Sequence, residues 1–209
     1  MKVELFSDIA CPWCYIGERR LRRAMEARPG AVAEVRWRPY QLQPAMPPEG
    51  VPWGDFVERR FGGWERARPM FAHVASAGAG EGIRYDFERV ASAPNTRDAH
   101  RLVLLAEREG RGYETAEALF AAYFAEGRDV GDREVLAAIA GEVGLDADAA
   151  RAMLAGDDFA AAVDESQREA AELGVTGVPF FVFDGRFAIS GAQPFDVFLQ
   201  AIDRASRPE

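Results

Sequence analysis

Val3 and Leu5 alternate with Lys2 and Glu4, the period of a half-buried strand, and predict a first strand over Val3–Phe6. Ser7–Ala10 then leads into Cys11-Pro12-Trp13-Cys14, and the period changes. Cys14, Gly17, Leu21, Ala24 and Met25 fall on one helical stripe, and Arg19, Arg22, Arg23 and Glu26 on another. A helix over Pro12–Ala27 follows. Pro12 suits its first turn, where a missing N–H costs nothing, and Pro29-Gly30 ends it. The arginine stripe is expected to be a solvated face. Ala33, Val35 and Trp37 alternate with Glu34, Arg36 and Arg38 and predict a second strand. Strand, helix and strand make one βαβ unit, which favours parallel pairing.

Prolines crowd the stretch from Pro44 to Pro52, which reads as a loop. From Trp53 to Gly156 the pattern is helical with almost no strand, broken by glycines at Gly78–Gly82. Helices are expected over Asn95–Arg108, Tyr113–Glu126 and Asp132–Val143, with a short one after Asp146. Asp132 suits an N-cap and Gly144 a C-terminal glycine. Phe159–Leu173 is again helical. Phe180–Phe183 is a compact apolar strand, Asp184-Gly185 a two-residue hairpin signal, and Phe187–Ile189 the return strand. Pro194–Ala205 closes the chain as an amphipathic helix with Val197, Phe198, Ala201 and Ile202 on its apolar side. The order is β-α-β, a helical block, then α-β-β-α. Residues 1–50 and 157–209 therefore complete one α/β layer structure, and 51–156 reads as an inserted helical unit.

Composition adds exclusions. The formal net charge of −9 repels phosphate backbones and anionic lipid, so neither nucleic acid nor a membrane surface is an expected partner. No apolar run is long enough to span a bilayer, and the first residues read as a strand, not as a basic then apolar leader. The expectation is a cytoplasmic protein, where thiols are mostly kept reduced.

The two cysteines stand three apart, too close to staple a large fold. Residues three apart on a helix share a face, and their separation suits the roughly 4.4–6.8 Å between Cα atoms that a disulfide tolerates. Cys11 falls at the helix N-terminus, where unpaired N–H groups and the macrodipole stabilise a nucleophilic thiolate. Cys14 lies one turn inside. Cys11 is thus the attacking thiol and Cys14 the resolving one. A structural zinc site needs four ligands, and His73 and His100, far apart in sequence, lack the short ligand spacing of a finger. An iron–sulfur cluster needs more thiolates than one chain supplies. An inert pair is the other alternative. A strand leading into the pair and a helix leaving it makes the motif more specific than a bare C-x-x-C. Val178-Pro179 precedes the strand Phe180–Phe183. Pro179 is either an ordinary strand-starting proline or a cis proline beside the thiols that leaves the Val178 backbone free for an extended peptide or a tripeptide thiol.

These residues resemble the DsbA-like thioredoxin superfamily, in its FrnE-like cytoplasmic branch. The resemblance rests on SDIACPWCYIG, VRWRPYQLQP, PNTRDAHRL and GVTGVPFFVFDGRFAISGAQP, and it runs through the whole chain in order. It implies a thioredoxin-like fold interrupted by an all-helical domain over the active-site pair. It also implies dithiol–disulfide activity at Cys11 and Cys14, and a cis peptide at Val178-Pro179. A related branch is similar to the 2-hydroxychromene-2-carboxylate isomerases and kappa-class glutathione transferases, which bind glutathione against the same proline loop and usually carry serine where this chain has Cys11. Cysteines at both positions point towards redox exchange. The further cysteine pair that some FrnE-like proteins carry near the C-terminus is missing here.

The leading expectation is a thiol–disulfide oxidoreductase acting on protein or small-molecule disulfides, with no tightly bound cofactor and with glutathione or another low-molecular-weight thiol as redox partner. A glutathione-dependent isomerase or transferase is the alternative, and a chaperone-like binding module a further one. Pro12, Trp13, Val178 and Pro179 are candidate substrate-binding residues, with Trp13 expected at the surface. His100 either packs in its helix or lines a groove above the thiols. Asp8 either orders the end of the strand or moves protons during exchange.

Overall fold

The computed structural model describes residues 1–207; the last two residues of the 157–209 portion lie outside it. Its elements run β1 (Lys2–Ser7), α1 (Pro12–Glu26), β2 (Glu34–Pro39), β3 (Val51–Pro52), α2 (Trp53–Phe61), α3 (Trp64–Ala79), β4 (Ser92–Ala93), α4 (Arg97–Arg108), α5 (Gly112–Phe124), α6 (Arg133–Glu142), α7 (Ala147–Ala155), α8 (Ala160–Glu172), β5 (Phe180–Phe183), β6 (Phe187–Ser190) and α9 (Phe195–Ala205). The main sheet has the order β2-β1-β5-β6, with β1 and β2 parallel and the other pairs antiparallel. Leu5 stands opposite both Trp37 and Phe181. This is the thioredoxin-like order that the sequence implies, with helices inserted between β2 and the final α-β-β-α segment. The one extended feature among those helices, in the described residues, is the antiparallel pair β3–β4.

Alternation along the strands sorts the sheet faces. Val3, Leu5, Phe181 and Phe183 join the main core, where α1 and α9 pack together. Phe6 faces the other way, with Phe180 and Val182 beside it, and is covered by Ala170 of α8 and Val175. Helices on both faces of one sheet give three layers.

Local signals explain most boundaries. Asp132 and Asp146 each accept two backbone N–H bonds at the starts of α6 and α7, which caps those helices. The β5–β6 connection is three residues long, not two: Asp184 and Gly185 both take positive φ, and Arg186 N–H closes the turn on the Phe183 carbonyl at 3.0 Å. The expected break at Gly78–Gly82 is present: α3 ends at Ala79, inside that stretch, and residues 80–82 form a turn, although Gly78 itself is still helical. A Cβ on Gly78 would lie 2.3 Å from the Tyr85 ring, so the glycine serves close packing there. Asn95 stays outside α4. Its side chain binds Gln41, the Met46 carbonyl and Arg97 N–H, tying the loop after β2 to the helix start.

The arginine stripe on α1 is not simply solvated. Arg19 and Arg22 both pair with Glu117 of α5, and Arg20 and Arg23 with Glu81. These pairs join the helix that carries the thiols to α5 and to the turn that follows α3, pairings that the periodicity of α1 alone does not foretell.

Candidate active site

β1 ends in a tight turn. Cys11 N–H donates to the Asp8 carbonyl at 2.9 Å, and Cys11 becomes the N-cap of α1 in an extended conformation, with Pro12 behind it in the first turn. Cys14 N–H donates to the Cys11 carbonyl at 3.0 Å. Both thiols are free. Cys11 is 4% exposed, at the edge of a cavity, whereas Cys14 is 0% exposed behind it. Burial, and then the neighbouring Cys11, pushes the Cys14 thiol well above its ordinary value.

The chain entering β5 completes this edge. Cys11 Sγ donates to the Val178 carbonyl at 3.6 Å, and the Val178–Pro179 peptide is cis. Pro179 rests on α1 where a side chain is missing: a Cβ on Gly17 would lie 2.9 Å from Pro179 Cγ and 3.1 Å from Phe181 Cζ. The structure therefore brings Pro12, Trp13, Val178 and Pro179 together around Cys11. Trp13 is half-buried, not at the open surface, because its ring lies 5.5 Å from that of His73 on α3.

His100 stands elsewhere. It is fully buried on α4 and does not line the cavity; Pro94 and Thr96, just before it in the chain, do. Its Nδ1 accepts the indole N–H of Trp37 at 3.2 Å, which puts the ring proton on Nε2. Nε2 lies 3.4 Å from Asp8 Oδ1 without the geometry of a hydrogen bond and has no other partner among the described residues. Asp8 is 1% exposed. Its carboxylate accepts Ala10 N–H at 3.3 Å and Leu42 N–H at 2.7 Å, and its own N–H donates to Cys14 Sγ at 3.5 Å. Asp8 thus orders the turn before Cys11 and joins it to the loop after β2.

The cavity, about 460 Å³, lies between the Cys11–Trp13 turn, the Leu42–Met46 loop and helices α2 and α3. Its walls are largely aromatic, with Trp53, Phe56, Phe61, Phe71, Phe87 and Phe124 contributing. Tyr85 packs beneath the turn and donates its hydroxyl to the Pro12 carbonyl at 2.7 Å; burial holds its phenol in the neutral, donating form. None of the wall residues on α2 and α3 was singled out by motif. The signal was the aromatic spacing of Trp53, Phe56 and Phe61, which looks the same whether it faces a core or a cavity.

On the far side of α1, Glu18 is buried with both carboxylate oxygens unpartnered among the described residues. Desolvation, and then the nearby Glu117, pushes its carboxyl well up, against the pull of Arg19 and Arg22.

A family model described as a DSBA-like thioredoxin domain matches residues 2–203. A probable DsbA oxidoreductase from Streptomyces coelicolor shares 40% identity and a TM-score of 0.90, over 98% of this chain and 89% of that one. The cytosolic disulfide reductase DsbM from Pseudomonas aeruginosa, solved with GSH, shares 22% identity and a TM-score of 0.69, over 99% and 96%. A 2-hydroxychromene-2-carboxylate isomerase shares 17% identity and a TM-score of 0.73, over 98% and 95%. The last two show likeness of fold alone.

Proposed function

The chain belongs to the DsbA-like thioredoxin domain family of oxidoreductases, and on that premise we propose that it is a thiol–disulfide oxidoreductase cycling a Cys11–Cys14 disulfide. The observation that carries the reading is the asymmetry of the pair. Cys11 lies at the cavity edge and at a helix N-terminus, where an anion is stabilised. Cys14 is sealed behind it with its thiol pushed up. A substrate meets Cys11 first.

In the reducing direction, the Cys11 thiolate attacks one sulfur of a substrate disulfide and the other leaves as a thiolate. Cys14 then gives up its proton and attacks the Cys11 sulfur of the mixed disulfide, releasing the second thiol. Two electrons and two protons pass from the protein to the substrate. The reverse sequence donates a disulfide. The direction is set by the potential of the pair against that of its compartment, which we take to be the cytoplasm, as in the FrnE-like branch. No helix among the described residues is long and apolar enough to cross a membrane. The Val178 carbonyl beside Cys11 suits the backbone of an extended peptide or of a low-molecular-weight thiol. Glutathione is the first redox partner to test, given the fold shared with a reductase solved with GSH. Titration of the pair in glutathione redox buffers tests the reading.

A further inference from the structure

The cavity beside Cys11 has a charge pattern of its own. The protein is acidic, at −9, yet no carboxylate lines the cavity among the described residues. The one permanently charged side chain in its lining is Arg60 of α2, which is exposed and makes no ion pair with the described residues. The volume of about 460 Å³ is that of a small-molecule site, which typically spans roughly 300–1,000 Å³.

We propose that this cavity makes the protein selective for a small disulfide with an apolar, aromatic body and one carboxylate, and that Arg60 is the residue that sets the preference. The inference rests on the dithiol reading and narrows it. The aromatic walls take the apolar body, Arg60 takes the carboxylate, and the disulfide then lies against Cys11. Glutathione disulfide can still exchange with Cys11 beside the Val178 carbonyl, but it gains least from entering this cavity. Its peptide groups, ammonium groups and several carboxylates would be desolvated against aromatic walls that offer one cation. The chemistry balances within a single turnover. The Cys11–Cys14 dithiol becomes a disulfide, the substrate S–S bond breaks, and the two electrons and two protons leave with two thiols. No further reductant is needed for that turnover.

The test uses the reduced full chain and three disulfides: the mixed disulfide 4-carboxybenzyl methyl disulfide, which carries a single carboxylate, its uncharged carbamoyl analogue and glutathione disulfide. Each rate is divided by the rate of the same disulfide with 2-mercaptoethanol, which removes intrinsic reactivity. The carboxylate compound is expected to exceed both others by about tenfold, the low end of what one hydrogen bond to a charged group contributes. In Arg60→Gln the carboxylate-to-carbamoyl ratio should fall to near one, and Arg60→Lys should recover part of it. Equal normalised rates in the wild type, or a ratio that survives in Arg60→Gln, overturn the proposal. A protein that consumes none of the three overturns the dithiol reading itself, and the selectivity with it.

Discussion

His100 Nε2 lies 3.4 Å from Asp8 Oδ1 at the back of the site, with the His100 ring held in place by the indole N–H of Trp37. Asp8 is the hinge of this arrangement, because its carboxylate holds Ala10 and Leu42 while its N–H reaches Cys14. Asp8→Ala leaves two backbone N–H groups without their acceptor and should cost about 2–4 kcal/mol. Asp8→Asn keeps one acceptor oxygen and should lose less. Urea unfolding of the two variants checks the order; equal loss, or none, contradicts this role.

Gly17 is where α1 and the Val178–Pro179 loop touch. Gly17→Ala forces its new methyl against Pro179 Cγ and Phe181. Overpacking of this kind costs about 1–3 kcal/mol. Because Pro179 is beside Val178, the same methyl should push the Val178 carbonyl away from Cys11. Both a lower melting temperature and slower disulfide consumption are expected. A variant as stable and as fast as the wild type would show that the loop yields freely.

Glu18 supplies a pH signature. Its folded-state value is raised, so folding takes up a proton once pH exceeds the unfolded value, about 4.3. Its contribution is therefore fully present below that pH and is lost as pH rises towards the folded value, with a slope of up to about 1.4 kcal/mol per pH unit. Glu18→Gln cannot ionise and escapes this loss. The stability of the variant relative to the wild type should climb with pH above the acidic range and flatten below it. Parallel pH–stability curves would mean that Glu18 is ionised in the folded state.

The two cysteines should separate by variant. Cys14→Ser retains the accessible thiol, so it should stop after one turnover with a single substrate thiol linked to Cys11, visible by intact mass. Cys11→Ser should form no adduct at the buried Cys14. A Cys14→Ser protein that still consumes disulfide catalytically would remove the resolving role. If it instead isomerises a small substrate with glutathione, the isomerase alternative takes over.

Much of this was legible in the sequence where the signal is local. The β-α-β start, the β5–β6 hairpin and the Asp132 cap follow from period and turn chemistry within a few residues. Cys11 and Cys14 follow from their spacing at a helix start. The features that shape the site join distant residues. Arg19 meets Glu117 across 98 positions and Trp37 meets His100 across 63, and neither pairing leaves a mark in its own segment. The aromatic wall on α2 and α3 was readable as buried, but a core and a cavity present the same periodicity. Trp13 looked exposed because His73, its cover, lies on a helix of the inserted block.

The most direct measurement is the equilibrium potential of the Cys11–Cys14 pair in glutathione redox buffers, read by thiol alkylation and intact mass. A single two-electron transition between an intramolecular disulfide and a dithiol, within the roughly −270 to −120 mV spanned by C-x-x-C proteins, is the expected result. Its position states whether the protein gives or takes disulfides. Two cysteines that never join in one chain across that range would contradict the account.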